Sequence, residues 1–172
     1  YFSPFYKTDK PILAIQPHGG PEGLGYQYSW TRDVPSPIVN EVLEYYKESH
    51  TIIHIKRQDQ IIYPDTLQAL DGFRSIAILL QLSDKRLLID SFTQHMAAAL
   101  NLKSTVCWIS TKPEVFGYKL HDNVKAEPFT KEPDLTAAAY NPFHLTQDIH
   151  SIPYNDLNEV FTTDKIFISL NS

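Results

Sequence analysis

Apolar and polar positions fall along the chain in blocks that switch between the periods of strand and helix. Ile12-Leu13-Ala14-Ile15 is a short continuous apolar run, as expected of a strand buried on both faces. From Ser36-Pro37 onward, Ile38, Val42, Tyr45 and Tyr46 recur at spacings of four and three, which lays an apolar face along one helix. Serine as its cap and proline in its first turn suit the start, and Lys47 to His50 end it. Thr51-Ile52-Ile53-His54-Ile55 reads as the second strand, with His54 a satisfied structural histidine inside it. Arg57 to Pro64 is a polar turn in which Ile61-Ile62-Tyr63 suits a short strand. Phe73 to Leu82 has the length and apolarity of a helix, closed by Ser83-Asp84-Lys85-Arg86. Leu87-Leu88-Ile89 is then a buried strand stopped by Asp90 and Ser91. Ser91-Phe92-Thr93-Gln94 fits a capping box, with serine at the cap and glutamine three residues on. Met96 to Leu100 continues that helix, and Thr105 to Ile109 is the next strand.

Strands alternating with helices argue for a doubly wound α/β domain, a parallel sheet with helices on both faces. Each parallel pair needs a crossover of this kind. Residues 1–10 read as an irregular lead-in or linker, 11–118 as a Rossmann-like core, and 119–172 as a less regular segment packing on the same domain. Thr111 to Tyr118 reads as a loop. Residues 119–153 carry little periodic signal and are broken by Pro128, Pro133, Pro142 and Pro153. Asn155 suits the cap of a short helix through Phe161, and Lys165 to Leu170 fits strand or helix.

Composition narrows the classes. At 172 residues with 42% hydrophobic and 20% charged positions, the chain can bury a core. Fifteen basic residues against 20 acidic ones give a net charge of −5, and no dense basic run exists, which disfavours a nucleic-acid partner. The single cysteine, Cys107, sits in an apolar run and reads as a buried inert thiol, which with the absence of a disulfide framework favours a reducing, cytoplasmic setting. No apolar stretch approaches the roughly 18 residues of a membrane span. The start at Tyr1 suggests a piece of something longer.

Candidate chemistry gathers where strands end. Gln16 to Gly25 follows the first strand and holds four of the six glycines, including Gly19 and Gly20, which lets backbone approach a ligand closely or simply forms a long turn. Asp90 lies at a strand terminus, where a carboxylate accepts hydrogen bonds from sugar hydroxyls or helps the helix cap. Ser91 suits a phosphate oxygen or a cap. His95, one turn further on, suits phosphate, sugar or a structural role. Arg32 suits phosphate or open surface, and Trp30, Tyr26 and Tyr28 suit stacking on a base or an aromatic flap. Carboxyl ends of strands and amino ends of helices are where open α/β sheets take ligands and where backbone N–H groups favour phosphate. Asp90, Ser91 and His95 are no catalytic triad, since the Gly-x-Ser-x-Gly elbow is missing. The seven histidines show no metal-ligand spacing, and Walker A and complete Gly-x-Gly-x-x-Gly patterns are absent.

Asp90-Ser91-Phe92-Thr93-Gln94-His95-Met96-Ala97-Ala98-Ala99 resembles the Asp-Ser/Thr-Gly-x-x-His-x-Ala-Ala-Ala signature of the heptosyltransferase-like glycosyltransferases of family 9, which have the GT-B fold. Gln16-Pro17-His18-Gly19 is similar to the family's His-Pro-Gly turn, and Arg32-Asp33-Val34-Pro35 to its Lys-Arg-Trp-Pro element. The likeness covers residues 11–118. It implies the C-terminal, nucleotide-sugar-binding half of an inverting, metal-independent enzyme with no cofactor. Asp90 would contact the donor sugar, Ser91 and His95 the diphosphate or sugar, and Arg32 would replace a phosphate-binding lysine. The turn at Gly19 and Gly20 would face the donor. The acceptor, a glycan or lipid, and the catalytic base would belong to an N-terminal Rossmann-like domain in the same or another chain. Phe92 stands where the family has glycine. The alternatives are a non-catalytic nucleotide-sugar-binding module, a separately encoded subunit completed by a partner chain, and another GT-B activity such as a nucleotide-sugar epimerase or hydrolase.

Overall fold

A computed structural model describes residues 8–19, 32–69, 72–109, 111–127 and 156–172. Strand β1 is Ile12–Ile15, followed by helix α1 at Ser36–Tyr46, β2 at Thr51–Ile55 and β3 at Leu67–Ala69. Helix α2 is Phe73–Leu82, β4 is Lys85–Ile89, α3 is Phe92–Ala99 and β5 is Thr105–Trp108. A one-turn helix α4, Pro113–Phe116, leads to β6 at Asp122–Lys125, and after a 3-10 turn at Leu157–Glu159 comes α5 at Thr163–Leu170. The six strands form one sheet in the order β3-β2-β1-β4-β5-β6. Every pairing is parallel, with Ile12 opposite Thr51 in β1–β2 and Ile15 opposite Leu87 in β1–β4.

The two-residue alternation of each strand divides the core into two layers. Leu13 and Ile15 of β1, Leu87 and Ile89 of β4 and Cys107 of β5 pack on Val39, Val42 and Tyr46 of α1 and on Ile166 and Leu170 of α5. Ile12, Ala14, Leu88, Val106 and Trp108 point the other way, onto Ile76, Leu79 and Leu80 of α2 and Ala97 of α3. Helices cover both faces, so the strands read as unbroken apolar runs. The sheet is the doubly wound parallel arrangement that the alternation predicts.

Local expectations fare unevenly. Ile61-Ile62-Tyr63 is not a strand; the third strand lies later, at Leu67–Ala69, while Ile61 and Ile62 are exposed. Tyr63 turns inward because its hydroxyl finds buried polar partners. Pro35, not Ser36, is the cap residue of α1, and Ser36 opens the helix with Pro37 behind it. Ser83 and Asp84 do close α2, but Lys85 and Arg86 already belong to β4. The loop expected at 111–118 contains α4, and the weak-signal region contains edge strand β6. Its alternation is hidden because only Val124 of β6 is buried. Asn155 lies outside the described residues; Asp156 caps the 3-10 turn by accepting from the Asn158 N–H at 2.8 Å. The terminal piece is a helix, pinned by Ile166 and Leu170.

Cys107 is buried among apolar side chains, and burial pushes its thiol well above the usual range, in keeping with an inert core residue. Among the described residues no helix is long and apolar enough to cross a membrane.

Candidate functional site

The strand order reverses between β1 and β4, because α1 leads to β2 on one side of β1 and α2 carries the chain back to β4 on the other. In open α/β sheets the crevice outside the carboxyl ends of such a strand pair is the ligand site. Here that crevice lies between the turn Gln16 to Gly19, which leaves β1, and Asp90-Ser91, which joins β4 to α3.

Gln16 ties the two edges together. Its backbone N–H donates to Leu87 O at 2.9 Å, extending the β1–β4 ladder by one bond. Its side-chain Nε2 donates to Ser91 Oγ at 3.2 Å, and its Oε1 accepts from the Thr93 hydroxyl. Gln16 and Thr93 are both buried. The Ser91 hydroxyl is thereby engaged across the crevice and makes no cap bond to α3, although Ser91 is the cap residue with extended backbone. The capping box is therefore absent: Gln94 sends its Nε2 to Phe116 O at 3.2 Å instead of back to Ser91, because α4 lies within its reach. The first turn of α3 is left without a side-chain cap, and its Gln94 N–H donates to Ser91 O at 3.2 Å. Replacing Gln16 by methionine keeps its length but removes both bonds and leaves the buried Thr93 hydroxyl unpaired. A loss of about 1–2 kcal/mol in denaturant-unfolding free energy is expected.

Gly19 is required by close approach. A Cβ there would stand 3.0 Å from Ile89 Cδ1 and 3.1 Å from Arg32 Cδ, so the Arg32 stem lies across the glycine beside the last residue of β4. The exposed Arg32 is brought to the crevice rim in this way. The Gly19 N–H donates to Asp33 Oδ1 at 2.7 Å, and the Val34 N–H donates to Pro17 O at 2.9 Å. Together these bonds fasten both ends of the glycine-rich segment, whose Gly20, Tyr26, Tyr28 and Trp30 lie outside the described residues.

Behind this turn is a buried polar cluster. Tyr63 donates its hydroxyl proton to Ser36 Oγ at 3.1 Å, and His18 Nε2 lies 2.7 Å from the same hydroxyl. Burial pushes the Tyr63 phenol up to about 12. His18 Nδ1 is 3.5 Å from Asp33 Oδ2 without hydrogen-bond geometry. His54, in β2, is fully buried, with its ring 5.4 Å from that of Tyr63 and 6.4 Å from that of His18. Among the described residues neither of its ring nitrogens has a partner, so it is buried in the core but not satisfied as the sequence suggests. Burial, reinforced by His18 and Lys56, holds its pKa down to about 3.

The structure brings Ser91, Gly19 and Arg32 to the two lips of one crevice, with Asp90 where β4 ends. Asp90 is half-buried, and its carboxylate makes no hydrogen bond or ion pair among the described residues. His95 is exposed one turn along α3. Its Nδ1 lies 3.0 Å from the Tyr118 hydroxyl, and the two rings meet edge to face at 5.6 Å. The Gln94 side-chain Nε2 lies 3.2 Å from Nδ1 and 3.1 Å from Nε2 of the same ring. Tyr118 in turn packs against His121, whose Nε2 donates to Gln94 O at 3.0 Å. Gln16, Thr93, Asp33 and Tyr118 were not singled out by sequence reading. Asp33 and Thr93 stand inside motifs quoted for other residues, whereas Tyr118 carries no sequence signal at all, being 23 residues from its partner. Among the described residues no group of three or more His, Cys, Asp or Glu side chains is placed to hold a metal ion.

No protein-family model matches the sequence, and no curated protein matches it. Among solved structures, the fold is similar to that of a family 9 glycosyl transferase from Veillonella parvula, with a TM-score of 0.62 at 10% sequence identity. The match covers 97% of this chain and 48% of that one, so this chain spans about half the length of the structure it resembles.

Proposed function

We propose that this chain is the donor-binding half of a glycosyltransferase and holds a nucleotide-activated sugar in the crevice between β1 and β4. The observation that carries the reading is the convergence of Arg32, Gly19, Ser91 and an Asp90 without a partner among the described residues at the point where strand order reverses. The likeness to a family 9 glycosyl transferase supports it at the level of fold.

The chemistry follows from the groups present. A diphosphate lies at the crevice mouth, within reach of the Arg32 guanidinium, whose stem packs over Gly19, and of the first turn of α3, where oriented N–H groups favour anions. Asp90 accepts hydrogen bonds from sugar hydroxyls. His95, with Nδ1 beside the Tyr118 hydroxyl, offers an exposed imidazole to a phosphate or sugar oxygen. During transfer the departing nucleoside diphosphate gains negative charge, and the cation, the hydroxyl of Ser91 and the helix N-terminus stabilise it without a metal. Transfer proceeds with inversion. The acceptor, a glycan or lipid, and the base that deprotonates it belong to a second, N-terminal Rossmann-like domain in the same or another chain, and the setting is cytoplasmic.

Calorimetry of the chain against ADP-, UDP-, GDP- and CMP-sugars without added metal tests this. One nucleotide class is expected to bind, unaffected by chelator. Asp90→Ala and His95→Ala are each expected to weaken that binding about tenfold, the loss of one hydrogen bond to a charged group, with melting temperature unchanged. Silence across the panel, or full affinity in both folded variants, overturns the assignment.

A further inference from the structure

Phe73 and Phe92 are the first residues of α2 and α3, two neighbouring helices packed on the same face of the sheet. Their rings meet edge to face, with centroids 5.3 Å apart and planes at 80°. Both remain open to solvent, Phe73 at 69% and Phe92 at 37% exposure. Single surface phenylalanines are unremarkable, but an exposed pair in mutual contact at a ligand-binding edge is not. The rings serve no core layer, since neither belongs to the two buried clusters.

Phe92 follows Asp90 and Ser91 in the chain, so the ring pair opens its helices near the strand end that carries a half-buried carboxylate with no partner among the described residues. That combination suits an amphipathic ligand. A pyranose ring has one face of C–H groups and a rim of hydroxyls: the C–H face covers an aromatic ring while hydroxyls donate to a carboxylate. A phosphate group by itself has no use for the rings. A protein domain docking here would need several hundred Å² of contact, whereas two phenylalanine rings offer a platform nearer the size of one sugar.

We propose that Phe73 and Phe92 form a stacking platform for the pyranose ring of a saccharide, with Asp90 taking its hydroxyls. The platform favours a ligand that offers a C–H face over one that offers phosphate alone. The sugar is that of the donor or a free saccharide, and the nucleotide arm of the test rests on the donor-binding reading above.

The first arm compares each nucleoside diphosphate with its sugar conjugate, ADP with ADP-glucose, UDP with UDP-glucose and GDP with GDP-mannose, by calorimetry on the full chain. The conjugate is expected to bind at least fivefold tighter than its diphosphate. Phe73→Ala and Phe92→Ala should remove that advantage while leaving diphosphate affinity within twofold, and Phe92→Trp should keep it. The second arm uses saturation-transfer NMR with methyl glucoside, methyl galactoside and N-acetylglucosamine, where saturation of ring C–H protons should vanish in the alanine variants. Loss of the effect in either arm supports the platform. If nucleotides stay silent but free sugars respond through these rings, the platform stands and the donor reading falls. If diphosphates bind and the rings make no difference in both arms, the platform falls and the donor reading stands. Silence in both arms overturns both. Tighter conjugate binding in Phe92→Ala marks the ring as an obstruction, and a change of oligomeric state on sedimentation in either alanine variant marks the face as a protein interface; each outcome overturns the platform.

Discussion

At pH 4.5 a His54→Leu variant is expected to be more stable than the natural chain by about 2–3 kcal/mol. His54 is buried in β2, its two ring nitrogens have no partner among the described residues, and its pKa is held down to about 3, against the ordinary 6.5 that it regains on unfolding. A folded pKa below the unfolded one means that the unfolded chain binds the extra proton. Stability from this group is therefore complete above about pH 6.5 and is lost progressively as pH falls toward 3. At pH 4.5 the two units below the unfolded value correspond to roughly 2.7 kcal/mol. Leucine has a similar volume and no proton to take up, so its unfolding free energy should fall less between pH 7 and pH 4.5. At pH 7 the variant should be at least as stable as the natural chain, because two buried polar atoms without partners are removed. Urea titrations of both proteins at the two pH values measure the difference. Parallel acid limbs would show that His54 does not drive the acid sensitivity.

Trp108→Ala is expected to cost about 3–5 kcal/mol, enough to unfold much of a marginally stable domain. Trp108 fills the layer beneath α2 and α3 and is 1% exposed. Its indole N–H donates to Asn123 Oδ1 at 2.7 Å, so the same side chain fixes the edge strand β6 to β5. Trp108→Phe separates the two roles. It keeps most of the apolar volume and loses the hydrogen bond, so a cost of about 1–2 kcal/mol is expected from the unpaired Asn123 carbonyl and a small cavity. Equal losses in both variants, read from chemical denaturation, would mean that the bond and not the packing dominates.

The crevice residues answer to different physics from the core. Gln16 holds the ends of β1 and α3 together through Ser91 and Thr93, which fixes the geometry of the crevice before any ligand arrives. Asp90, Arg32 and the two phenylalanines stay partly or fully exposed in the free chain. Substituting them is expected to change affinity with little effect on folding, which distinguishes them from Gln16 and Trp108.

The sequence determined the sheet and its helices where apolar runs are dense. β1, β2, β4 and β5 are buried on both faces and bounded by turn residues, so local pattern and tertiary demand agree. The Asp90-Ser91 junction was legible for the same reason: a strand must end where the apolar run stops. Only the tertiary structure decided the rest. β3 and β6 are edge strands with little buried surface, and their short sequences carry no alternation to read. The apparent capping box of Ser91 and Gln94 gave way to partners 75 and 22 residues away, Gln16 and Phe116, because a side chain that can reach a buried long-range partner gains more than from a solvent-facing cap. The order β3-β2-β1-β4-β5-β6 likewise lies outside local pattern, and that order brings Gly19, Arg32 and Ser91 together. Spacing along the chain specifies which residues share one helix or strand; which strand ends lie side by side follows from how the crossovers cover both faces of the sheet.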